Sequence, residues 1–109
     1  INNWSPSKVL DSRYTTTDVQ ELVANGRRAF LEYSPLTWSS ADGSGRIYRR
    51  VPYGEDLDVF VLDMRSYRAG NGCNVETAPG PETAYLGREQ LDWLKRELSR
   101  SRATWKVIA

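Results

Sequence analysis

Leu57-Asp58-Val59-Phe60-Val61-Leu62 is a β-rich apolar run that leads directly into Asp63-Met64-Arg65-Ser66-Tyr67-Arg68. Such a run, bounded by turn residues, predicts a strand buried on both faces of a sheet. In open α/β sheets, ligands gather beyond the carboxyl ends of strands. An acid and two guanidinium groups fall at that place here. A guanidinium fork can donate two parallel hydrogen bonds to a phosphate, so Asp63, Arg65 and Arg68 are candidates for holding one. On the residues alone, an ion pair between Asp63 and Arg65 or Arg68 that anchors the loop is the simpler reading, because such pairs are common.

Working outward, Ile47, Arg49, Val51 and Tyr53 alternate with Tyr48 and Arg50, which predicts a second strand with one polar face. Pro52 marks its end or a sheet edge, and residues 53–56 form a turn. Upstream, residues 1–16 are irregular. A helix follows, with Thr17 as its N-cap, Asp18 in its first turn and Gln20 placed as in a capping box. Val19, Leu22, Val23, Ala29, Phe30 and Tyr33 recur at helical spacing, and Gly26 falls on the same face, where close packing against a neighbour would explain it. Ser34-Pro35 ends this helix. Residues 37–45 are a loop.

Downstream, a Gly/Pro/Asn-rich loop covers roughly 69–86, a length that usually signals function or docking. A second helix starts after Gly87, with Leu91, Leu94 and Leu98 on one side, Trp93 flanking it, and Lys95 and Arg96 near its C-terminal end, where cations suit the helix dipole. Residues 99–102 link it to a last strand at 104–109. The chain stops inside that strand, which suggests a truncated domain. The order helix, strand, strand, helix, strand predicts an α/β fold: two helices packed on about three strands.

Composition bounds the function. The chain has 109 residues, 39% hydrophobic and 27% charged, enough for one modest core. The net charge of +1 argues against a general nucleic-acid scaffold. No apolar run approaches the ~20 residues of a membrane helix. Neither is there a signal-peptide pattern at Ile1-Asn2-Asn3-Trp4, although a chain without an initial Met can begin mid-protein. Cys73, the one cysteine, reads as an incidental loop thiol; a Cys–His nucleophile needs a histidine, and there is none. The same absence removes a self-contained Ser-His-Asp triad and the usual zinc sets.

Several stretches, in order, resemble the PhoD family of alkaline phosphatases, within the calcineurin-like metallophosphoesterase superfamily. Asn2-Asn3-Trp4 is similar to the segment just after the family's Asp-His-Glu motif. Ala29-Phe30-Leu31-Glu32-Tyr33-Ser34-Pro35 resembles its Phe-x-Glu-Tyr-x-Pro segment, and Arg46-Ile47-Tyr48-Arg49 the strand that precedes its buried one. Val61-Leu62-Asp63-Met64-Arg65-Ser66-Tyr67-Arg68 resembles its Leu-Asp-x-Arg-x-Tyr-Arg signature. Leu86-Gly87-Arg88-Glu89-Gln90-Leu91-Asp92-Trp93-Leu94 resembles its Leu-Gly-x-x-Gln-x-x-Trp-Leu helix, and Ala103-Thr104-Trp105-Lys106-Val107 its next strand.

The resemblance implies part of a metallophosphoesterase-type α/β sandwich, with residues 1–109 an internal segment of the catalytic domain. It implies that the intact protein hydrolyses phosphate esters with calcium and iron and is exported by the twin-arginine route to the periplasm or outside. It places Asp63 and Arg65 as catalytic and Tyr67 and Arg68 as substrate-binding. The family's Gly-Asp and Asp-His-Glu motifs would precede Ile1 and its Gly-Asp-x-His motif would follow Ala109. No metal ligand is therefore assigned within the segment, no cofactor is expected on it alone, and it is expected to be inactive by itself.

Two other readings compete. One is a non-catalytic α/β module that binds a partner or stabilises a larger protein. The other makes Trp4, Trp38, Tyr48 and Tyr53 a binding face for bases or sugars, although packing accounts for them more simply. An edge strand cut at its end also predicts that the isolated segment self-associates, most simply as a C2 dimer.

Overall fold

The central strand lies between one local partner and one remote one. In the computed structural model, which describes residues 1–36, 45–73 and 75–109, the elements run α1 (Val19–Tyr33), β1 (Arg49–Tyr53), β2 (Leu57–Val61), a 3-10 turn (Pro81–Thr83), α2 (Arg88–Arg100) and β3 (Trp105–Ile108). The sheet order is β1-β2-β3. β1 pairs antiparallel with β2, Val51 facing Val59. β3 pairs parallel with β2, Val59 facing Val107. The mixed sheet and two helices are the α/β arrangement that the element order predicts. Pro52 sits on β1, an edge strand, where its missing N–H costs no ladder bond. The loop at 37–45, apart from Gly45, and Trp38 lie outside the described residues.

The sheet is covered on one face. Phe60 is fully buried there and forms a core with Tyr48, Trp93 and Leu94, against which Leu62, Tyr67, Leu86 and Leu98 pack. The rings of Tyr48 and Trp93 pack at a tilt, with 4.8 Å between their centroids. The opposite face is open: Tyr53 is 74% and Trp105 69% exposed, and Val51 and Val107 are also exposed. β2 is thus buried on one side and half-buried on the other, which corrects the expectation of burial on both faces.

Local chemistry explains further differences. Asp18, not Thr17, caps α1: its carboxylate accepts the N–H groups of Gln20 and Glu21 at 2.8 and 3.4 Å. Gln20 does not close a capping box; its amide donates to the Pro6 carbonyl at 3.0 Å and ties the helix to the N-terminal segment. A Cβ on Gly26 would meet nothing within 4 Å, so no close neighbour explains that glycine. Ser34 ends the helix as expected. On α2 the buried residues are Gln90, Trp93 and Leu94, while Leu91 is exposed. The packed face is therefore rotated from the one the leucines marked, and Trp93 belongs to the core. Two of the candidate aromatics do not share a face, since Tyr48 is in the core and Tyr53 on the open side.

Candidate functional site

β2 runs out at Val61, and the chain turns at once. Leu62 keeps the ladder one step longer, donating its N–H to the Ala109 carbonyl at 2.8 Å. Asp63 then shapes the turn. Its Oδ1 accepts the backbone N–H groups of Arg65 at 3.0 Å and Ser66 at 2.9 Å, the way aspartate side chains hold tight turns. Asp63 is buried, and its Oδ2 has no hydrogen-bond partner among the described residues. No ion pair joins Asp63 to Arg65 or Arg68 among the described residues. The carboxylate holds the loop, but through backbone N–H groups and not through a guanidinium.

Asp63, Arg65 and Tyr67 come together on one cavity of about 430 Å³, between the 63–67 turn and α1. Arg65 is exposed there and donates one long hydrogen bond, 3.4 Å, to the Trp4 carbonyl. Among the described residues the rest of its fork has no hydrogen-bond partner. Tyr67 packs edge-on against Tyr48, with ring centroids 5.6 Å apart. Burial pushes the Tyr67 phenol above its usual range, with Tyr48 and Asp63 pushing the same way. Trp4, Phe30 and Ile47 supply apolar wall, and Arg27 a second guanidinium. Arg27 is anchored by its Nε donating to the Gly45 carbonyl at 2.9 Å.

Arg68 lies elsewhere. It lines a different cavity of about 530 Å³ built from the 69–85 loop. Its Nη2 donates to Asn71 Oδ1 at 2.7 Å, and its guanidinium lies 5.4 Å from the centre of the Tyr85 ring. The structure therefore brings together three of the four residues singled out in the sequence and sets the fourth apart. Arg27 was missed by sequence reasoning. It carries no motif, and only the fold brings α1 to the end of β2.

The cavity by α1 can accept an anion: it has two arginines, one with most of its donors free, against one carboxylate already engaged by backbone. It does not by itself make a metal centre. Among the described residues, no three Asp, Glu or Cys side chains converge as a cation cage would need. Asp63 Oδ2 is a single buried acceptor. The described residues thus do not fit calcium or iron on their own. No helix among them is long and apolar enough to cross a membrane.

Comparison with known proteins bears on the family. The sequence profile described as PhoD-like phosphatase matches residues 1–109. Alkaline phosphatase D of Bacillus subtilis (strain 168) is 34% identical over 90 residues, which covers 75% of this chain but only 15% of that protein. A solved structure described as the structure of PhoD superposes with a TM-score of 0.70 at 30% identity, covering 98% of this chain and 22% of that one. The chain therefore spans a small part of the relatives it matches. A profile that runs its whole length, with a solved relative of the same fold, shows that the chain belongs to the PhoD-like phosphatase family.

Proposed function

We propose that residues 1–109 are an internal segment of a PhoD-type phosphatase or phosphodiesterase that hydrolyses phosphate esters. The observation that carries this reading is Arg65: an exposed guanidinium with most of its fork uncommitted, held beside Arg27 at the end of the central strand. In this role Arg65 donates to the phosphoryl oxygens and stabilises the charge that grows on them. Asp63 shapes the turn that carries Arg65. Tyr67 walls the substrate side, and Arg68, in the neighbouring cavity, serves substrate parts further from the reacting phosphorus. Calcium and iron are proposed for the intact protein from the family resemblance, with ligands from outside the segment; clustered metals supply Lewis acidity to such reactions when bound. Export by the twin-arginine route belongs to the same proposal.

The segment alone is proposed to be inactive, and to pair with a second copy through its open sheet face. The test compares the longer protein with purified 1–109 on nitrophenyl phosphate and bis(nitrophenyl) phosphate, with calcium and iron present. Hydrolysis by the longer protein and none by the segment is the expected result. Turnover by the segment would refute its inactivity. No turnover by the longer protein on either ester would leave the non-catalytic module standing. Light scattering of the segment over a concentration series tests pairing; a monomer throughout rejects it.

A further inference from the structure

Gln90 is a polar residue with no exposed surface, in the middle of the core face of α2. Its amide is fully used. Gln90 Oε1 accepts the Asp63 N–H at 2.7 Å, and Nε2 donates to the Asp63 carbonyl at 2.9 Å and to the Leu86 carbonyl at 2.8 Å. The side chain thus does for Asp63 what a paired strand does for a residue in an antiparallel ladder: it takes up both backbone groups at once. The amide orientation follows from the partners, since an N–H can meet only the oxygen and a carbonyl only the NH₂. No other side chain of this length offers both.

A second contact grips the far end of the same turn. Gly87, which caps α2 at φ +72°, lies so close to Tyr67 that a Cβ on it would fall 2.7 Å from Tyr67 Cβ. The first turn of α2 therefore fixes Asp63 by its backbone and Tyr67 by contact. Arg65 stands between them, its N–H held by Asp63 Oδ1.

We propose that Gln90 is a positioning residue for the phosphoester hydrolysis: by clamping the Asp63 backbone to α2, it sets where the Arg65 guanidinium stands in the cavity. This rests on the reading of Arg65 given above. Gln90 does not line the cavity, so its effect is transmitted wholly through the 63–67 turn. If it merely held α2 to the sheet, its loss would lower stability and leave the chemistry of folded molecules alone.

A double-mutant cycle on the longer protein separates these cases. Gln90→Met keeps the size and removes both hydrogen-bonding functions; Arg65→Ala removes the group being positioned. Turnover of nitrophenyl phosphate is measured per folded molecule, with folding followed by near-ultraviolet circular dichroism. Gln90→Met is expected to lower kcat and kcat/KM together, by about 10- to 100-fold, the scale of a displacement near 1 Å. Adding it to Arg65→Ala should then cost little more. Gln90→Glu keeps the acceptor for the Asp63 N–H and carries the same test where Gln90→Met does not fold. Full turnover in the glutamine variants, with Arg65→Ala impaired, overturns the positioning role, as do losses that simply multiply. Failure of both glutamine variants to fold also overturns it and leaves Gln90 a stability residue. Full turnover in Arg65→Ala instead defeats the reading of Arg65 on which the role depends.

Discussion

The two ends of β2 each bury an aspartate, and they treat it in opposite ways. Asp58, at the start of the strand, is 2% exposed and charge-matched: Arg50 Nη2 lies 2.8 Å from its Oδ2, and the Ser101 hydroxyl donates to the same oxygen. Arg50 also reaches Glu97 on α2 at 3.8 Å. The Arg50 hydrogen bond, helped by Ser101, holds the Asp58 carboxyl below the usual carboxylate range, outweighing the effect of burial. Asp63, just past the other end, has no such ion pair among the described residues. Its Oδ1 is engaged by two backbone N–H groups and its Oδ2 is left over. A buried charge needs compensation. Where a guanidinium supplies it, that guanidinium is consumed, as Arg50 is. Where backbone supplies it, the neighbouring arginine stays available, as Arg65 does. On the reading proposed above, one end of the strand is architecture and the other a place to receive an anion.

Exchanging the two arginines' fates would break this contrast. Arg65→Ala in the longer protein is expected to lower turnover by ~100-fold or more, the scale of losing one charge-stabilising donor, while the thermal midpoint stays near that of the unmodified protein. Arg50→Met should do the reverse. It leaves Asp58 buried without its counter-charge, so the midpoint should fall by several degrees, with activity per folded molecule retained. A stable Arg50 variant would show that Ser101 alone suffices for Asp58.

Acid sharpens the same contrast. Because the folded state depresses the Asp58 carboxyl, its contribution is fully present above the unfolded-state value of about 3.9 and is lost as pH falls through the lower folded value. Denaturant midpoints measured across the acid range should therefore drop less steeply below about pH 4 in Asp58→Asn than in the unmodified protein. Equal slopes would remove Asp58 from the acid response. The smallest effect concerns room. Nothing lies within 4 Å of a Cβ built on Gly26, in the middle of α1. Gly26→Ala should raise stability by roughly 0.5–1 kcal/mol, read as an increase in denaturant midpoint. A decrease would mean that Gly26 is needed for a reason other than the room around it.

How far the sequence could be read follows the same physics. The strand leading into residues 63–68, the end of α1 at Ser34-Pro35 and the start of α2 after Gly87 were all legible, because apolar runs, proline and glycine act locally. The packed face of α2 was not. Leu91 looked like core and is exposed, while Gln90 looked polar and has no exposed surface. Hydropathy cannot see that a distant backbone will consume an amide. At the site, the grouping of Asp63, Arg65 and Tyr67 was legible as a strand-end cluster. The separation of Arg68 was not, since it depends on a loop that folds back to offer Asn71 and Tyr85. Arg27 was equally hidden, because nothing in a helix sequence says which turn it will lie beside.

The sheet order also has a kinetic side. β2 finds β1 across a short turn at residues 54–56, with Gly54 at φ +67°, and hairpins of that kind close in roughly 1–10 μs. Its other partner, β3, arrives only after the long loop and all of α2. Closing so long a span costs chain entropy that no local contact offsets beforehand. The hairpin should thus form early and wait, with the far edge of β2 unpaired until α2 has docked on Phe60. During that interval the edge is a ready template for a strand from another chain, so yield on refolding should be more sensitive to protein concentration than native stability is.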